Sequence, residues 1–311
     1  MHVLHSIAAS AGAVPGCAVA IGNFDGVHLG HRRLFEIAHD LASARGAAAV
    51  ALTFEPHPVR VLRPRLAPPI LTPLPRKLEL LAGCGLDATV VQPFDPSYAS
   101  TEAATFVERD LAAALDAADV VVGHDFTAGR GRTRVDGLRR LLDARRIRLH
   151  VVDPVASDGL VVSSTKIREF LLEGNVEGAS QLLGRPHDVE AVVERGGGRG
   201  RGFGFPTANL HPVAMLPANG VYVVWTAVGG AEYGAVCNVG TKPTVQQDGA
   251  VTAEAHLLDF DGRDLYGATV RIAFLSRLRD ERRFPSVDAL RAQIADDVAR
   301  ARAILRNSTG G

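Results

Sequence analysis

The chain has 311 residues, 47% of them apolar, with 34 basic and 34 acidic side chains. That length calls for two domains, and zero net charge provides no field to recruit nucleic acid or an anionic membrane. No apolar run is long enough to span a bilayer, and with no C-x-x-C pair among Cys17, Cys84 and Cys237, neither a zinc knuckle nor a disulfide framework is supported.

Residues 1–15 lack a basic stretch ahead of an apolar one, so no secretory leader is expected and the reducing cytoplasm is the expected location. Residues 17–21 read as a buried strand. From His31 to Ala44, the apolar Leu34, Ile37, Ala38 and Leu41 recur at spacings of three and four, which predicts a helix. Residues 48–54 form a second apolar strand, completing a βαβ unit. Further strands are predicted at 88–91, 120–123 and 149–152, with helices at 102–115 and 137–146. This alternation predicts a Rossmann-like α/β domain whose ligands bind at the carboxyl ends of parallel strands.

A helical pattern over 176–183 is interrupted by Gly184-Arg185-Pro186, and the texture then changes. Strands at 189–194, 220–228, 233–239, 251–259 and 268–275 follow one another with Gly-rich turns between them, which predicts a small barrel or sandwich. A last amphipathic helix runs from Ser286, a suitable N-cap, to about residue 305, with Leu290, Ile294 and Val298 on one face. The domains are therefore placed at 1–185 and 186–311.

The first chemical signal is Gly-Asn-Phe-Asp-Gly-Val-His-Leu-Gly-His at residues 22–31, between the first strand and its helix. Backbone N–H groups and the helix dipole there favour phosphate. Gly30 allows a close backbone approach, and His28 and His31 are placed to donate hydrogen bonds to a phosphoryl group as its charge builds. Read blandly, they are surface histidines capping a helix. Ser-Ser-Thr-Lys-Ile-Arg at 163–168 begins another helix, capped by Ser163 or Ser164, with the Arg168 fork suited to phosphate oxygens. A class I aminoacyl-tRNA synthetase would need a lysine-rich second signature, which is absent.

Together with Thr-Phe-Glu-Pro-His-Pro at 53–58, these segments resemble the adenylyltransferase half of the prokaryotic bifunctional riboflavin kinase/FAD synthetase family. The resemblance implies attack of the FMN phosphate on the α-phosphorus of ATP, expelling pyrophosphate. An ionised phosphate needs no general base. By the same resemblance His28 and His31 contact the ATP phosphates, Asn23 and Asp25 shape the loop, and Ser164, Thr165 and Arg168 hold the leaving group. Gly22, Phe24, Gly30, Phe54 and Asp125 complete the expected nucleotide and flavin contacts. One departure is Ala128, where the family commonly has an aromatic; loss of a ring there would loosen packing or a stacking contact.

The second signal is the loop Gly-Gly-Gly-Arg-Gly-Arg-Gly at 196–202, able to wrap a polyphosphate, followed by Gly-Phe-Pro-Thr-Ala-Asn at 204–209. Thr207 and Asn209 share one face of an extended segment and offer neutral oxygens to a Mg²⁺ ion held mainly by phosphates and water. This stretch resembles the Pro-Thr-Ala-Asn signature of riboflavin kinase, and the resemblance specifies a riboflavin-kinase β-barrel. It makes Glu254 the base for the riboflavin 5′-hydroxyl and places Gly196, Gly204, Pro206, Asn238, Arg279 and Glu281 around nucleotide or flavin. Without it, Glu254 reads as a solvent-facing strand residue, and Arg279 and Glu281 as part of a solvated charge cluster. Arg195 and Gly197 stand where the family often has His and Asp, which would alter loop mobility only.

The expected function is riboflavin to FMN in the C-terminal domain and FMN to FAD in the N-terminal one. Each step uses ATP with Mg²⁺, and no permanently bound cofactor is expected. The expected partners are ATP, riboflavin, FMN and FAD, with no nucleic acid and no membrane, on a monomer or weak homo-oligomer. Two rivals are a kinase whose N-terminal half is impaired at Ala128, and a flavin-binding regulator without turnover.

Overall fold

The computed structural model describes residues 1–194, 208–241, 251–261 and 264–308. The chain forms two compact units, Met1–Ser163 and Ser164–Gly311.

The first unit contains strands β1 (His2–Leu4), β2 (Ala18–Ile21), β3 (Ala49–Glu55), β4 (Ala88–Pro93), β5 (Asp119–Gly123), β6 (Thr127–Ala128), β7 (Thr133–Arg134), β8 (Arg148–Val152), β9 (Ala156–Ser157) and β10 (Leu160–Val161). Its helices are α1 (Leu29–Ser43), α2 (Pro58–Leu62), α3 (Leu74–Ala82), α4 (Pro96–Ala99), α5 (Ala103–Thr105) and α6 (Val135–Asp143). Helix α5 continues into the wider-wound Phe106–Ala114, where the Leu115 N–H reaches back five residues to the Asp110 carbonyl at 3.0 Å.

Six strands form one sheet in the order β1-β4-β3-β2-β5-β8, with every neighbouring pair parallel. The central strands are apolar along their length because both faces are covered. Val19, Ile21, Val50 and Leu52 pack with Leu111 and Leu138 on one side. Ala18, Ala20, Ala49 and Ala51 pack with Phe35 and Ala38 of α1 on the other. The chain proceeds from β2 to β3 on one side, whereas β5 lies on the other. The crevice at the carboxyl end of β2 is therefore the topological switch point where such sheets bind ligands.

The expected strands and helices are present; β1, β6, β7, β9, β10, α2, α3 and α4 are additional. Ala128 is 3% exposed and belongs to the same core as Ala103, Phe106 and Leu138, so its small side chain does not open that core to solvent. At the amino end of β5, away from the switch point, the buried Asp119 accepts from Arg148 at 2.7 and 3.0 Å and pairs with His150 and Arg45.

The second unit opens with α7 (Ser164–Leu172) and α8 (Val176–Leu183), the latter ended by Gly184 at φ +69°. Then come β11 (His187–Glu194), β12 (Ala208–Leu210), β13 (Gly220–Val228), β14 (Ala231–Thr241), β15 (Val251–Leu257), β16 (Thr269–Arg279) and α9 (Val287–Ser308). The strands close into a barrel in the order β11-β12-β15-β14-β13-β16, which settles the choice between barrel and sandwich. Alternate residues point inward, and Tyr222, Cys237, Ala255, Ile272 and Phe274 are fully buried. Burial pushes the Cys237 thiol up to about 12. The other set, including Val221, Val223 and Val236, packs against Ala301 and Leu305 of α9. Ser286 caps α9 as expected, accepting the Ala289 N–H at 3.1 Å.

The α7–α8 pair joins the barrel. The Leu171 carbonyl accepts from Ala218 at 2.8 Å, and Glu177 accepts from the Arg277 N–H at 3.3 Å. Gly174, at φ +74°, lies so close to the Tyr222 hydroxyl that a Cβ would come within 2.9 Å of it.

Candidate functional sites

The turn after β2 is tightly specified. Phe24, Gly26 and Val27 take positive φ, at 50°, 94° and 43°. The buried Asp25 carboxylate accepts the Leu71 N–H at 3.1 and 3.2 Å and the Thr72 N–H at 2.9 Å. The Asn23 carbonyl accepts from the Thr53 hydroxyl and from the Lys77 ammonium, each at 3.1 Å. Gly22 is needed because a Cβ there would lie 2.7 Å from the Phe24 ring.

His28 is the N-cap of α1, and its Nδ1 accepts the His31 N–H at 3.3 Å. An accepting Nδ1 carries no proton, so in the neutral ring the proton resides on Nε2. The cap is buried, at 6% exposure, so the surface-cap reading is right about the capping and wrong about the surface. The His28 and His31 rings stack with centroids 3.5 Å apart and 17° between planes. Gly30 serves this stack directly, because a Cβ would meet the His28 ring at 3.1 Å. Phe24 is wholly buried; its ring stands edge-on to His31 at 5.3 Å and to Phe35 at 4.7 Å. Its place is therefore behind His31, as support rather than as ring contact to a ligand. His31 Nδ1 is buried without a hydrogen-bond partner among the described residues. Burial, then the neighbouring His28 and Lys77, hold this imidazole well below its ordinary range.

At the ends of β3 and β4, Phe54 packs with Phe94 at 5.8 Å and Tyr98 at 6.1 Å. The Tyr98 hydroxyl donates to Asp110 at 2.9 Å, and burial together with that carboxylate raises its pKa. Asp125 is exposed just beyond β5. Ser164, Thr165 and Arg168 lie in the first two turns of α7, in the second unit. Sequence reasoning missed Lys77, Tyr98 and Asp110; the scarcity of lysine, present only at 77, 166 and 242, was the available signal for Lys77.

On the barrel, Asn209 pairs with Glu254 across β12 and β15, and Glu254 pairs with Asn238 across β15 and β14. Directly paired residues project to the same face, so the three polar side chains form one row. Val221 continues the row on β13 and packs with α9, which places it on the outer face of the barrel. Glu281 covers the row's far end: its Oε1 accepts from Asn238 Nδ2 at 3.4 Å and lies 2.7 Å from where a Gly240 Cβ would stand. Arg279 is not solvated. It donates from Nε to Asp297 at 3.1 and 3.2 Å and from Nη2 at 2.8 Å, and its guanidinium lies 5.7 Å from the Phe284 ring centroid.

Gly196, Gly204, Pro206 and Thr207 lie outside the described residues. Among the described residues no three His, Cys, Asp or Glu side chains gather to hold a metal. The Asn209 side chain, facing Glu254, offers a neutral hard oxygen, which fits Mg²⁺ drawing most of its ligands from phosphate and water.

Residues 11–166 match the FAD synthetase family and residues 183–305 the riboflavin kinase family. The chain is 37% identical to the bifunctional riboflavin kinase/FMN adenylyltransferase of Pseudomonas fluorescens over 93% of each chain. It is 35% identical to that of Bacillus subtilis, over 90% of this chain and 89% of the other. Its fold matches a solved Streptococcus pneumoniae structure described as a macrolide-efflux protein, with TM-score 0.84, 32% identity and coverage of 93% and 94%. Here, among the described residues, no helix is long and apolar enough to cross a membrane. The two matched segments together span most of the chain, and the chain belongs to the bifunctional riboflavin kinase/FMN adenylyltransferase family.

Proposed function

We infer that the chain is a riboflavin kinase and an FMN adenylyltransferase, with adenylyl transfer carried by residues 1–185 and phosphorylation by residues 186–311. The stacked His28–His31 pair at the start of α1, with His28 buried and His31 half-buried, carries the reading for the first site. His28 Nε2–H and the neutral His31 ring supply donors to the α-phosphoryl group of ATP as charge accumulates there. Helix α1 adds its N-terminal dipole. The FMN phosphate is already a nucleophile, so the work of the site is alignment and charge stabilisation. Ser164, Thr165 and Arg168 are assigned to the departing pyrophosphate on the strength of the family resemblance.

At the second site Glu254 takes the proton of the riboflavin 5′-hydroxyl as that oxygen attacks the γ-phosphorus of ATP, breaking its bond to the β,γ-bridging oxygen and releasing ADP. Asn209, with Thr207, would hold Mg²⁺, which when bound neutralises phosphate charge. Asn238 and Glu281 border the same row and are assigned to the flavin side, while Arg279 holds that border in place. ATP as the common co-substrate supports a cytoplasmic location.

Incubation of the purified chain with FMN and Mg-ATP tests the bifunctional reading. FAD and pyrophosphate are expected; their absence while riboflavin is still phosphorylated would leave a monofunctional kinase. For that alternative, Ala128 is buried in the core, which answers the packing half of its motive; the assay answers the stacking half.

A further inference from the structure

Helix α3 was not foreseen, and it carries a buried ammonium. Lys77 is 3% exposed, although lysine is almost never buried without a partner. Its Nζ donates to the Asn23 carbonyl at 3.1 Å and stands 3.8 Å from the Glu55 carboxylate at the end of β3. Asp25 and His31 also feel its charge. Asn23 is the second residue of the turn that ends in His28 and His31. The Thr53 hydroxyl donates to the same carbonyl, so β3 and α3 grip the turn at one atom.

We propose that Lys77 is a positioning residue of the adenylyl-transfer site, fixing the turn at residues 22–28 through the Asn23 carbonyl and setting a positive charge behind His31. The inference rests on the reading of that site as the place of adenylyl transfer. Two physical points support it. A buried ammonium costs solvation that an apolar side chain of similar length would not, so its presence at this place calls for a return other than stability. The groups around it, Glu55 on β3, Asp25 in the turn and His31 on α1, also form an arrangement of mixed charge. In it the Lys77 charge adds to burial and to His28 in disfavouring a cation on His31.

The test uses the full chain with Lys77→Met, which removes both charge and donor, and Lys77→Gln, which keeps a donor. Wild type is expected to form FAD; if it does not, the reading of the site fails and not this inference. For Lys77→Met the expected results are a kcat for FAD formation lower by ~10- to 100-fold, as for a displaced reacting group, and unchanged riboflavin phosphorylation. Thermal unfolding should not be weakened, and the His31 titration midpoint should move upward, followed by NMR of ¹⁵N-histidine-labelled protein. Lys77→Gln should recover part of kcat but not the midpoint. FAD formation within about twofold of wild type, or a His31 midpoint that does not move, would overturn the proposal. If Lys77→Met fails to fold, Lys77→Gln decides: folded and fully active, it refutes the role.

Discussion

Arg279 and Asp297 are joined by three hydrogen bonds between the end of β16 and the middle of α9, and the carboxylate they share is 1% exposed. Gln293 donates a fourth hydrogen bond to it at 2.8 Å. Leaving the half-buried Arg279, its side chain 18% exposed, without its carboxylate costs about 1–3 kcal/mol. Asp297→Ala is therefore expected to lower the stability of the barrel unit by about that amount, measured by urea unfolding. Because Glu281 lies two residues beyond Arg279, the same variant should weaken riboflavin binding while leaving FAD formation from FMN unchanged.

Gly30 offers a minimal perturbation of the first site. A Cβ at this position crowds the His28 ring at 3.1 Å and meets the Val162 carbonyl only at an ordinary 3.7 Å, so Gly30→Ala should displace the imidazole without unfolding α1. We expect FAD formation to fall by ~100-fold, the effect of misplacing a reacting group by about 1 Å. Riboflavin phosphorylation, measured on the same preparation, should be unaffected.

The depressed pKa of His31 has a consequence for stability. In the unfolded chain this imidazole gains a proton as the pH falls through about 6.5, whereas in the folded unit it stays neutral to a lower pH. The unfolded state then binds more protons, so stability falls as pH falls between the two values. Unfolding midpoints of the first unit, measured from about pH 7.5 down to 5.5, should decline, and His31→Asn should flatten that decline.

How much of this was legible depended on whether the signal was local. The turn at 22–31 could be read because helix start, glycines and histidines lie within ten residues, and the parallel strands because strands buried on both faces are continuously apolar. Strand β12 has three residues, too few to show a period. Helix α3 follows a Pro- and Leu-rich stretch that obscured its start, and with it Lys77. Asp297 stands in an acidic pair, 296–297, within a helical stretch, and nothing in that pattern reveals its tertiary contact with Arg279. The row Asn209, Glu254 and Asn238 spans three strands separated by dozens of residues. The family resemblance supplied those residues individually, but their common face emerged only from the strand register.

The central claim is that two separate sites act in series on one chain. A paired measurement tests it most directly: His28→Ala and Glu254→Gln are each assayed for FMN formation from riboflavin and for FAD formation from FMN, with Mg-ATP. The account predicts opposite losses. His28→Ala should phosphorylate riboflavin and make no FAD, and Glu254→Gln should bind riboflavin, make no FMN, and still convert supplied FMN to FAD. Loss of both activities in either folded variant, or an active Glu254→Gln kinase, would contradict it.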